Sequence, residues 1–360
     1  MLEVLYGSTE DGFLAKIAVE LEQALAQRAV NGTRGDLTQR VLAQGDGWAV
    51  ADVMCTSGPQ DRSFEEQHSR VSIVIVLAGS FQYRGQSRFG PGRELMTPGS
   101  LLLGSAGQCF ECSHEHGTGD RCLSFSYTPD YFERLVADAG GRGARTNFRA
   151  LRLPPLRVLS PLVARACAGL DGRDVPWEEL SLHLAAQTVQ LAEGDNHFSD
   201  TNDAPPSTVA RVTRSVRMIE RHTDAGLGVG SLAREAGLSP YHFLRTFQRL
   251  TGLTPHQYVR RARLREAAMR LAAEPGKILD IAFDCGFGDV SNFNRAFRTE
   301  FGVSPRGFRR ELGFNHRDPE AQRFPNLLTE SKKSSLVRFK PRVVSISIGG
   351  PSPTAQDDTL

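Results

Sequence analysis

The side chains best suited to chemistry lie close together between Cys109 and Cys122. The segment holds three thiols and two imidazoles, on Cys109, Cys112, Cys122, His114 and His116. Two cysteines separated by two residues can bind one tetrahedral metal ion, and a chain that returns to Cys122 supplies a third thiolate. The fourth ligand is either Cys55, which lies on an earlier predicted strand, or one of the two histidines. The sequence therefore predicts a zinc site made of the segment's three cysteines and Cys55.

Two other interpretations of this segment stay open. In the first, Cys109, Cys112 or Cys122 is a thiol switch whose oxidation alters the surrounding domain. A variant of it is a self-modifying sensor, in which the zinc-bound thiolate of Cys109 accepts an alkyl group. In the second, the cysteines are small buried hydrophobic residues and the histidines line the pocket of an organic ligand.

A second group of polar side chains lies on two predicted helices near the carboxyl terminus. Aromatic residues recur at helical spacing and predict the buried side of each helix, at Phe243, Phe247, Phe293, Phe297 and Phe301. The opposite sides carry polar groups, on Tyr241, His242, Arg245, Gln248, Arg249, Ser291, Asn292, Asn294, Arg295 and Arg298. Amide, hydroxyl and guanidinium groups on a helix that enters a major groove suit contact with base edges and phosphates.

Both helices belong to an internal repeat. Residues 231–255 align with residues 280–305, and the matched pairs include Ala233 with Ala282, Gly237 with Gly286, Phe243 with Phe293, Phe247 with Phe297, and Pro255 with Pro305. In each copy a glycine just past a short helix supplies the left-handed residue that ends it. Ser239 and Pro240 then predict the start of a second helix. Each copy therefore predicts a helix-turn-helix.

A long helix is predicted between the two copies, from Thr254-Pro255 to Glu274-Pro275. About 19 residues at ~1.5 Å each make a rod of roughly 28 Å. That length places the two recognition helices about one turn of B-DNA apart, so that a single chain reads two adjacent major grooves. Arginines of this helix either contact phosphates or lie on a solvated face, at Arg260, Arg261, Arg263 and Arg265.

Charge is divided unevenly along the 360 residues. The total of 43 Lys and Arg against 41 Asp and Glu gives a net charge of +2. Residues 1–206 hold 18 Lys and Arg against 26 Asp and Glu, whereas residues 207–312 hold 18 against 10. A basic domain is the electrostatic footprint of a module that binds phosphates, and an acidic one repels DNA. We therefore assign nucleic-acid binding to residues 207–312.

Residues from about 209 to 312 closely resemble the DNA-binding domain of AraC/XylS-type transcription regulators. The motifs that carry the resemblance are Leu232-Ala-Arg-Glu-Ala-Gly-Leu-Ser, Gly252-Leu-Thr-Pro255, Asp280-Ile-Ala-Phe-Asp-Cys-Gly-Phe287, Asn292-Phe-Asn-Arg-Ala-Phe297 and Gly302-Val-Ser-Pro305. The resemblance implies base contacts from Tyr241, Leu244, Arg245, Ser291, Asn292 and Arg295. His242, Arg249 and Asn294 lie on the same outward sides of the predicted helices and are also expected to bind DNA. Leu244 departs from this pattern, because an apolar side chain meets a thymine methyl group but forms no bidentate base contact. The first recognition helix is therefore expected to discriminate less sharply than the second.

The sequence of the amino-terminal half predicts a domain built of β-strands. Short alternating or apolar runs broken by Gly and Pro extend from Leu37 to about Phe125 and indicate an all-β sandwich or barrel. The order of segments 68–79 and 97–103 resembles the cupin-like sensing barrel of many AraC-type regulators. That resemblance implies a mouth for one small effector, and the residues expected to sense an effector or a metal are His68, Cys109, Phe110 and His114.

The sequence thus predicts an α+β protein, with an N-terminal cupin-like β-barrel and flanking helices, followed by an all-α domain of two helix-turn-helix units joined by a long helix. The predicted segments are an N-terminal helix in 1–36, the barrel in 37–128, a helical connector in 129–193, a linker in 194–207, the DNA-binding domain in 208–312 and a mostly disordered tail in 313–360. For the connector, the resemblance implies a dimer interface, and packing against the barrel is the alternative. Domain motion is expected across the linker.

The expected function is that of a sequence-specific, effector-responsive transcription regulator, and the resemblance implies an activator. The implied partners are double-stranded DNA at two adjacent major grooves, RNA polymerase, an unknown small effector and a second copy of the chain. The first residues lack a basic segment, and the apolar run Ile73–Ala78 is too short to span a bilayer. A cytoplasmic protein without membrane contact is therefore expected.

The alternative function is a metal-dependent cupin enzyme, an oxygenase or isomerase, fused to a DNA-binding module. His114 and His116 have the His-x-His spacing of metal cupins. They lie late in the predicted barrel, however, and Asp120 is a poor substitute for the glutamate that a metal cupin requires. The sequence therefore favours a regulator without catalytic residues.

Overall fold

The computed structural model of the chain describes residues 13–87, 90–139, 147–170, 173–193, 204–224 and 226–312. The predicted linker lies outside these residues up to position 203. The predicted disordered tail lies wholly outside them. Strands dominate the first part of the described chain and helices the second, so the predicted α+β class is confirmed.

The amino-terminal half of the described chain is built on two antiparallel sheets. Its strands are β1 (Leu37–Gly45), β2 (Trp48–Cys55), β3 (Phe64–Gln67), β4 (Val71–Gly79), β5 (Phe81–Ser87), β6 (Gly90–Met96), β7 (Leu101–Gly104), β8 (Cys109–Ser113), β9 (Asp120–Tyr127) and β10 (Arg152–Leu153). One sheet has the order β1-β2-β9-β4-β7-β10, and the other has the order β3-β8-β5-β6. Buried side chains of both sheets meet in one apolar cluster, so the sheets pack face to face.

Strand β4 explains the longest apolar run of the sequence. Successive side chains of a strand point to opposite faces of its sheet. Ile73 and Ile75 lie in the core that faces the surrounding helices, whereas Val74 and Val76 face the cluster between the two sheets. Because β4 is covered on both faces, the run from Ile73 to Ala78 is apolar on both sides.

Helices cover the outer face of the six-stranded sheet. They are α1 (Phe13–Asn31), α2 (Pro129–Asp138), α3 (Ser160–Leu170) and α4 (Trp177–Glu193), with a 3₁₀ turn at Arg157–Leu159. Leu180 and Leu184 of α4 are fully buried in the core of this sheet. The Tyr127 hydroxyl donates a hydrogen bond to the carbonyl oxygen of Ser181 at 2.9 Å. The apolar stripe of α4 is therefore covered within the chain, as the packing alternative expects.

The carboxyl-terminal half is helical. Its helices are α5 (Pro206–Arg221), α6 (Val229–Glu235), α7 (Pro240–Thr251), α8 (Pro255–Ala273), α9 (Ile278–Asp284), α10 (Val290–Phe301) and α11 (Pro305–Glu311). Gly237 and Gly286, which follow α6 and α9, are left-handed, with φ of 62° and 80°. The Ser239 hydroxyl caps α7 and the Asp289 carboxylate caps α10. Both copies of the repeat are therefore helix-turn-helix units, as their sequences predict.

Helix α8 fills the cores of both helix-turn-helix units. Tyr258 and Ala262 pack in the core of the first unit, with α5, α6 and α7. Further along the helix, Leu264 and Leu271 pack in the core of the second unit, with α9, α10 and α11. Since one continuous helix belongs to both cores, it holds the two units at a fixed spacing.

The strand-rich and helical halves share a packed boundary. Leu95 of β6 lies in the core of the first helix-turn-helix unit, and Met269 of α8 lies in the core that covers the six-stranded sheet. The Arg152 guanidinium donates to the Glu94 carboxylate at 2.8 Å and to the carbonyl oxygen of Thr251 at 3.1 Å. The described parts of both halves thus belong to one compact unit.

Candidate DNA interface and buried thiol cluster

Helix α7 presents a polar side to solvent. Phe243 and Phe247 anchor the helix in its core, with no exposed surface. The predicted contact residues on the opposite side are exposed at Tyr241, His242, Arg245 and Arg249, whereas Leu244 is half-buried. The Arg245 guanidinium lies 5.8 Å from the centre of the Tyr241 ring, which is a cation–π distance. The two side chains therefore form one exposed surface.

Helix α10 has the same division with different polar groups. Its aromatic side is buried, at Phe293, Phe297 and Phe301. Its exposed side carries the predicted residues Ser291, Asn292, Asn294 and Arg295. The Arg295 guanidinium donates to the Asn292 side-chain oxygen at 3.4 Å. Amide and guanidinium groups thus stand side by side on one exposed face, and both types of group suit contact with base edges.

Most of the arginines of α8 form hydrogen bonds or ion pairs within the protein. Arg263 donates to the carbonyl oxygens of Thr223 and Gly286, each at 2.7 Å. Arg265 pairs with both carboxylate oxygens of Glu220, at 2.7 and 2.8 Å. Arg261 donates to the carbonyl oxygen of Pro155. In the described chain Arg260 is the member of this group that is exposed and suited to a phosphate contact.

A buried cluster forms where β2, β8 and β9 come together. Cys55 ends β2 and is the direct cross-strand neighbour of Asp120, which begins β9. His114 follows the last residue of β8 and contacts the Asp120 carboxylate through Nε2 at 2.7 Å. One donor atom from each of the three residues lies within 4.8 Å of the other two, and all three residues are buried. The Cys122 thiol donates to the second Asp120 oxygen at 3.2 Å.

Burial and neighbouring groups set the protonation of this cluster. Burial disfavours the charged His114 ring, but hydrogen bonds with Asp120 and Cys55 outweigh it and raise the pKa of His114 to about 9. Burial, reinforced by the Asp120 charge, raises the pKa of the Cys112 and Cys122 thiols well above the ordinary value. Without a cation, these two thiols are therefore neutral at pH 7 and weakly nucleophilic.

The structure separates Cys109 from the other predicted metal ligands. Cys109 is exposed and begins β8 opposite Gln67, at the far end of the strand from His114. Cys112 is buried in the cluster between the sheets. In the sequence, Asp120 was only a poor substitute for the glutamate of a metal cupin, because the cross-strand pairing that brings it to Cys55 is a tertiary feature.

The remaining predicted sensing residues lie at a second location. The His68 ring stacks on Phe110, with 4.1 Å between the ring centres, and its Nε2 lies 2.8 Å from the Tyr83 hydroxyl. Burial lowers the pKa of His68 to about 4, so its ring is neutral at pH 7. Cys109 and Phe110 line an open groove of 560 Å³ together with Arg84. The structure thus divides the four predicted sensing residues between this groove region and the buried cluster.

Comparison with known proteins gives a consistent set of relatives. The helix-turn-helix domain family matches residues 232–311. The HTH-type transcriptional activator RhaS of Salmonella dublin is 31% identical over 271 residues, which cover 70% of this chain and 89% of that protein. RhaS of Escherichia fergusonii is 32% identical over 160 residues, which cover 44% of this chain and 54% of that protein.

Among solved structures, this chain is similar to a transcriptional regulator from Chromobacterium violaceum described by its AraC-type DNA-binding domain. The two are 26% identical, the match covers 29% of this chain and 92% of that one, and the TM-score is 0.28. None of the helices in the described residues is long and apolar enough to cross a membrane.

Proposed function

Because the chain belongs to the AraC-type transcription regulators, we propose that it binds one specific DNA operator through α7 and α10, and that its strand-rich half makes this binding respond to an effector. Members of this family are DNA-binding regulators and not enzymes.

The observation that carries the proposal is the exposure of two polar helix faces from one rigid scaffold. Helices α7 and α10 turn their aromatic sides inward and their polar sides to solvent. The 19 residues of α8 span about 28 Å at ~1.5 Å per residue. Successive major grooves on one side of B-DNA are about 34 Å apart. We therefore place α7 and α10 in two adjacent major grooves of one duplex.

Base reading is assigned to the amide and guanidinium groups. Asn292 suits the edge of adenine, and Arg295 and Arg245 suit the edge of guanine, because these pairs form two hydrogen bonds at once. Leu244 suits a thymine methyl group. The neighbouring exposed side chains complete the interface through base edges, sugars and phosphates, at Tyr241, His242, Arg249, Ser291 and Asn294.

Activation and self-association are further parts of the proposal. The RhaS relatives are named transcriptional activators. We assign the same sign of regulation to this chain, with RNA polymerase as its partner at the promoter and a homodimer as its working form. Light scattering of the full chain, with and without operator DNA, and transcription with purified polymerase test these two assignments.

The effector response is assigned to contacts that hold each recognition helix at its carboxyl-terminal end. Arg152 of β10 donates to Thr251, the last residue of α7. The Ser160 hydroxyl of α3 donates to the Glu300 carboxylate of α10 at 2.6 Å. Both contacts come from the strand-rich half. A ligand that shifts this half therefore changes the orientation of both recognition helices.

Selection of binding sites from random DNA tests the proposed function. We expect each chain to select a motif with two half-sites whose centres lie about 10 base pairs apart, each half-site being the short sequence read by one recognition helix. The double variant Arg245→Ala with Arg295→Ala is the control and should enrich no motif. An enriched motif confined to one half-site, or no motif with the unaltered protein, would overturn the proposal.

A further inference from the structure

The buried cluster at Cys55, His114 and Asp120 brings together three different metal-binding groups. A thiol, an imidazole and a carboxylate each place one donor atom within 4.8 Å of the other two. Donors on a tetrahedral zinc ion lie roughly 3.3–3.8 Å apart, since Zn–S is about 2.3 Å and Zn–N about 2.0 Å. Small side-chain rotations are therefore enough to bring the three donors to zinc-binding distance.

Cys122 lies beside this group of three residues, on the same strand as Asp120. Its sulfur lies 3.2 Å from the Asp120 carboxylate, and it is buried between the two sheets. Residues two apart on a strand point to the same side, so Asp120 and Cys122 face the cluster together. Arg121 points to the other side, where it pairs with Asp52 at 2.9 Å. The cluster is thus free of this competing positive charge.

The surroundings of the cluster suit a bound cation. The Phe81 ring lies 5.9 Å from the His114 ring, and Val76 and Met96 belong to the same apolar cluster as Cys122. Such a shell excludes water and strengthens the attraction between a cation and its thiolate and carboxylate ligands. The mixed sulfur, nitrogen and oxygen donors match the ligand preference of zinc.

We propose that Cys55, His114, Asp120 and Cys122 bind one thiophilic divalent cation, with Zn²⁺ as the probe, and that its binding is transmitted to α5 of the DNA-binding half. On binding, the two thiols lose their protons to solvent, and the proton shared between His114 and Asp120 leaves with them. No electron is transferred. The proposed ligand set replaces two of the cysteines predicted from sequence spacing with His114 and Asp120.

The route to α5 is a short loop that carries two of the ligands at its ends. This loop runs from His114 to Asp120, and the Arg217 guanidinium of α5 donates to the carbonyl oxygen of Thr118 within it at 3.1 Å. At Gly117 an added Cβ would lie 2.1 Å from an Arg217 nitrogen, so the loop and α5 are in close contact. A cation that draws His114 and Asp120 together therefore acts directly on the docking of α5. This coupling rests on the proposed regulator function, whereas the cation site does not.

Cobalt binding to the full-length chain tests the cation site. Co²⁺ is the spectroscopic probe, and Zn²⁺ should displace it. We expect one Co²⁺ per chain with thiolate-to-cobalt absorption and the strong visible bands of tetrahedral coordination. Cys55→Ser and Cys122→Ser should weaken binding by about a hundredfold or more, because a lost thiolate removes a principal ligand.

Three further variants make the result decisive. Cys167→Ser, at a buried cysteine of α3, is the matched control and should leave the spectrum unchanged. Cys109→Ser distinguishes the two ligand sets and should also bind Co²⁺ normally. Asp120→Asn is a second ligand variant in case a serine variant does not fold, which circular dichroism shows. No thiolate absorption in the unaltered protein, or loss of it in Cys109→Ser but not in Cys55→Ser, would overturn the site.

Operator affinity with and without Zn²⁺ tests the coupling. We expect a change of roughly five- to 150-fold in the unaltered protein, the range of ordinary allosteric coupling. Arg217→Gln should bind Co²⁺ with an unchanged spectrum and show no Zn²⁺ effect on DNA. Equal affinity of the unaltered protein with and without Zn²⁺ would overturn the coupling. A normal cobalt spectrum without any operator binding would instead show that the proposed function has failed.

Discussion

The two helix-turn-helix units share a scaffold and differ at almost every exposed position. Phe243 and Phe293 are both fully buried, as are Phe247 and Phe297. On the exposed side, the first unit offers Tyr241, Leu244 and Arg245, whereas the second offers Ser291, Asn292 and Arg295. The repeat therefore preserves the residues that fold each unit and varies the residues that we propose to contact DNA. In the proposed function, the first unit reads DNA through one guanidinium and an apolar contact, and the second through adjacent amide and guanidinium groups.

The largest expected effects are losses of stability at aromatic residues in the cores of the two helix-turn-helix units. Phe247→Ala and Phe297→Ala should each destabilise the protein by about 3–5 kcal/mol, because each removes a fully buried aromatic ring. Chemical denaturation followed by circular dichroism measures both. Similar losses support equivalent scaffolds. A loss below about 1 kcal/mol in one variant would mean that its unit tolerates the cavity and that the scaffolds are not equivalent.

The two units should also differ in their tolerance of substitution at the turn glycines, Gly237 and Gly286, because the space around these glycines differs. Gly237→Ala should cost about 1 kcal/mol for left-handed backbone, since its added Cβ meets only an Arg211 nitrogen at 3.8 Å. Gly286→Ala should cost about 2–3 kcal/mol, because its Cβ would lie 2.9 Å from the carbonyl oxygen of Thr223. Thermal unfolding compares the two. A larger loss at Gly237 would contradict the close contact at the second turn.

The exposed faces of α7 and α10 should differ in how strongly they discriminate between DNA sequences. Arg295→Ala should weaken operator binding by about 1–3 kcal/mol and relax base preference. Leu244→Ala should cost less than about 1 kcal/mol, since it removes only an apolar contact. Fluorescence anisotropy with operator and random duplexes measures both affinities. If Arg295→Ala weakens binding to both duplexes equally, Arg295 contacts phosphate alone, and the exposed face of α10 loses its assigned role in reading bases.

The smallest expected effect concerns the arginines at the ends of the recognition helices. Arg249 and Arg298 are both exposed in the last turns of α7 and α10. Changing either to alanine should lower the salt dependence of binding by about one unit of slope, equally for operator and random DNA. Salt titrations of affinity measure this slope. A change of base preference in either variant would move that arginine into the group that reads bases.

The repeat made the helical half predictable. Matched glycines, aromatic residues and prolines fixed the turns, the buried faces and the start of α8, all of which depend on local sequence. The packed boundary was not predictable in this way. Arg261, Arg263 and Arg265 form a basic run in the sequence, yet each finds its partner on a segment distant in the chain. Only the tertiary fold supplies those partners.

The thiol cluster shows which metal ligands the spacing of residues in the sequence can predict and which it cannot. Cys109 and Cys112 have the separation of a metal-binding pair, but on a strand residues three apart point to opposite faces. Because both cysteines lie on β8 of the structure, this alternation argues against their joint ligation of one ion. The pairing of Cys55 with Asp120 was not available, because it depends on the alignment of β2 with β9.

The central claim, that both recognition helices read one duplex from the same side, is tested most directly by the spacing of the half-sites. Affinity for the selected operator should be compared with that for a duplex carrying about five extra base pairs between the half-sites, which turns one of them to the opposite side of the helix. We predict that the insertion lowers affinity to that of a duplex with one half-site. Unchanged affinity would contradict the claim, because it would mean that α7 and α10 do not bind at a spacing fixed by α8.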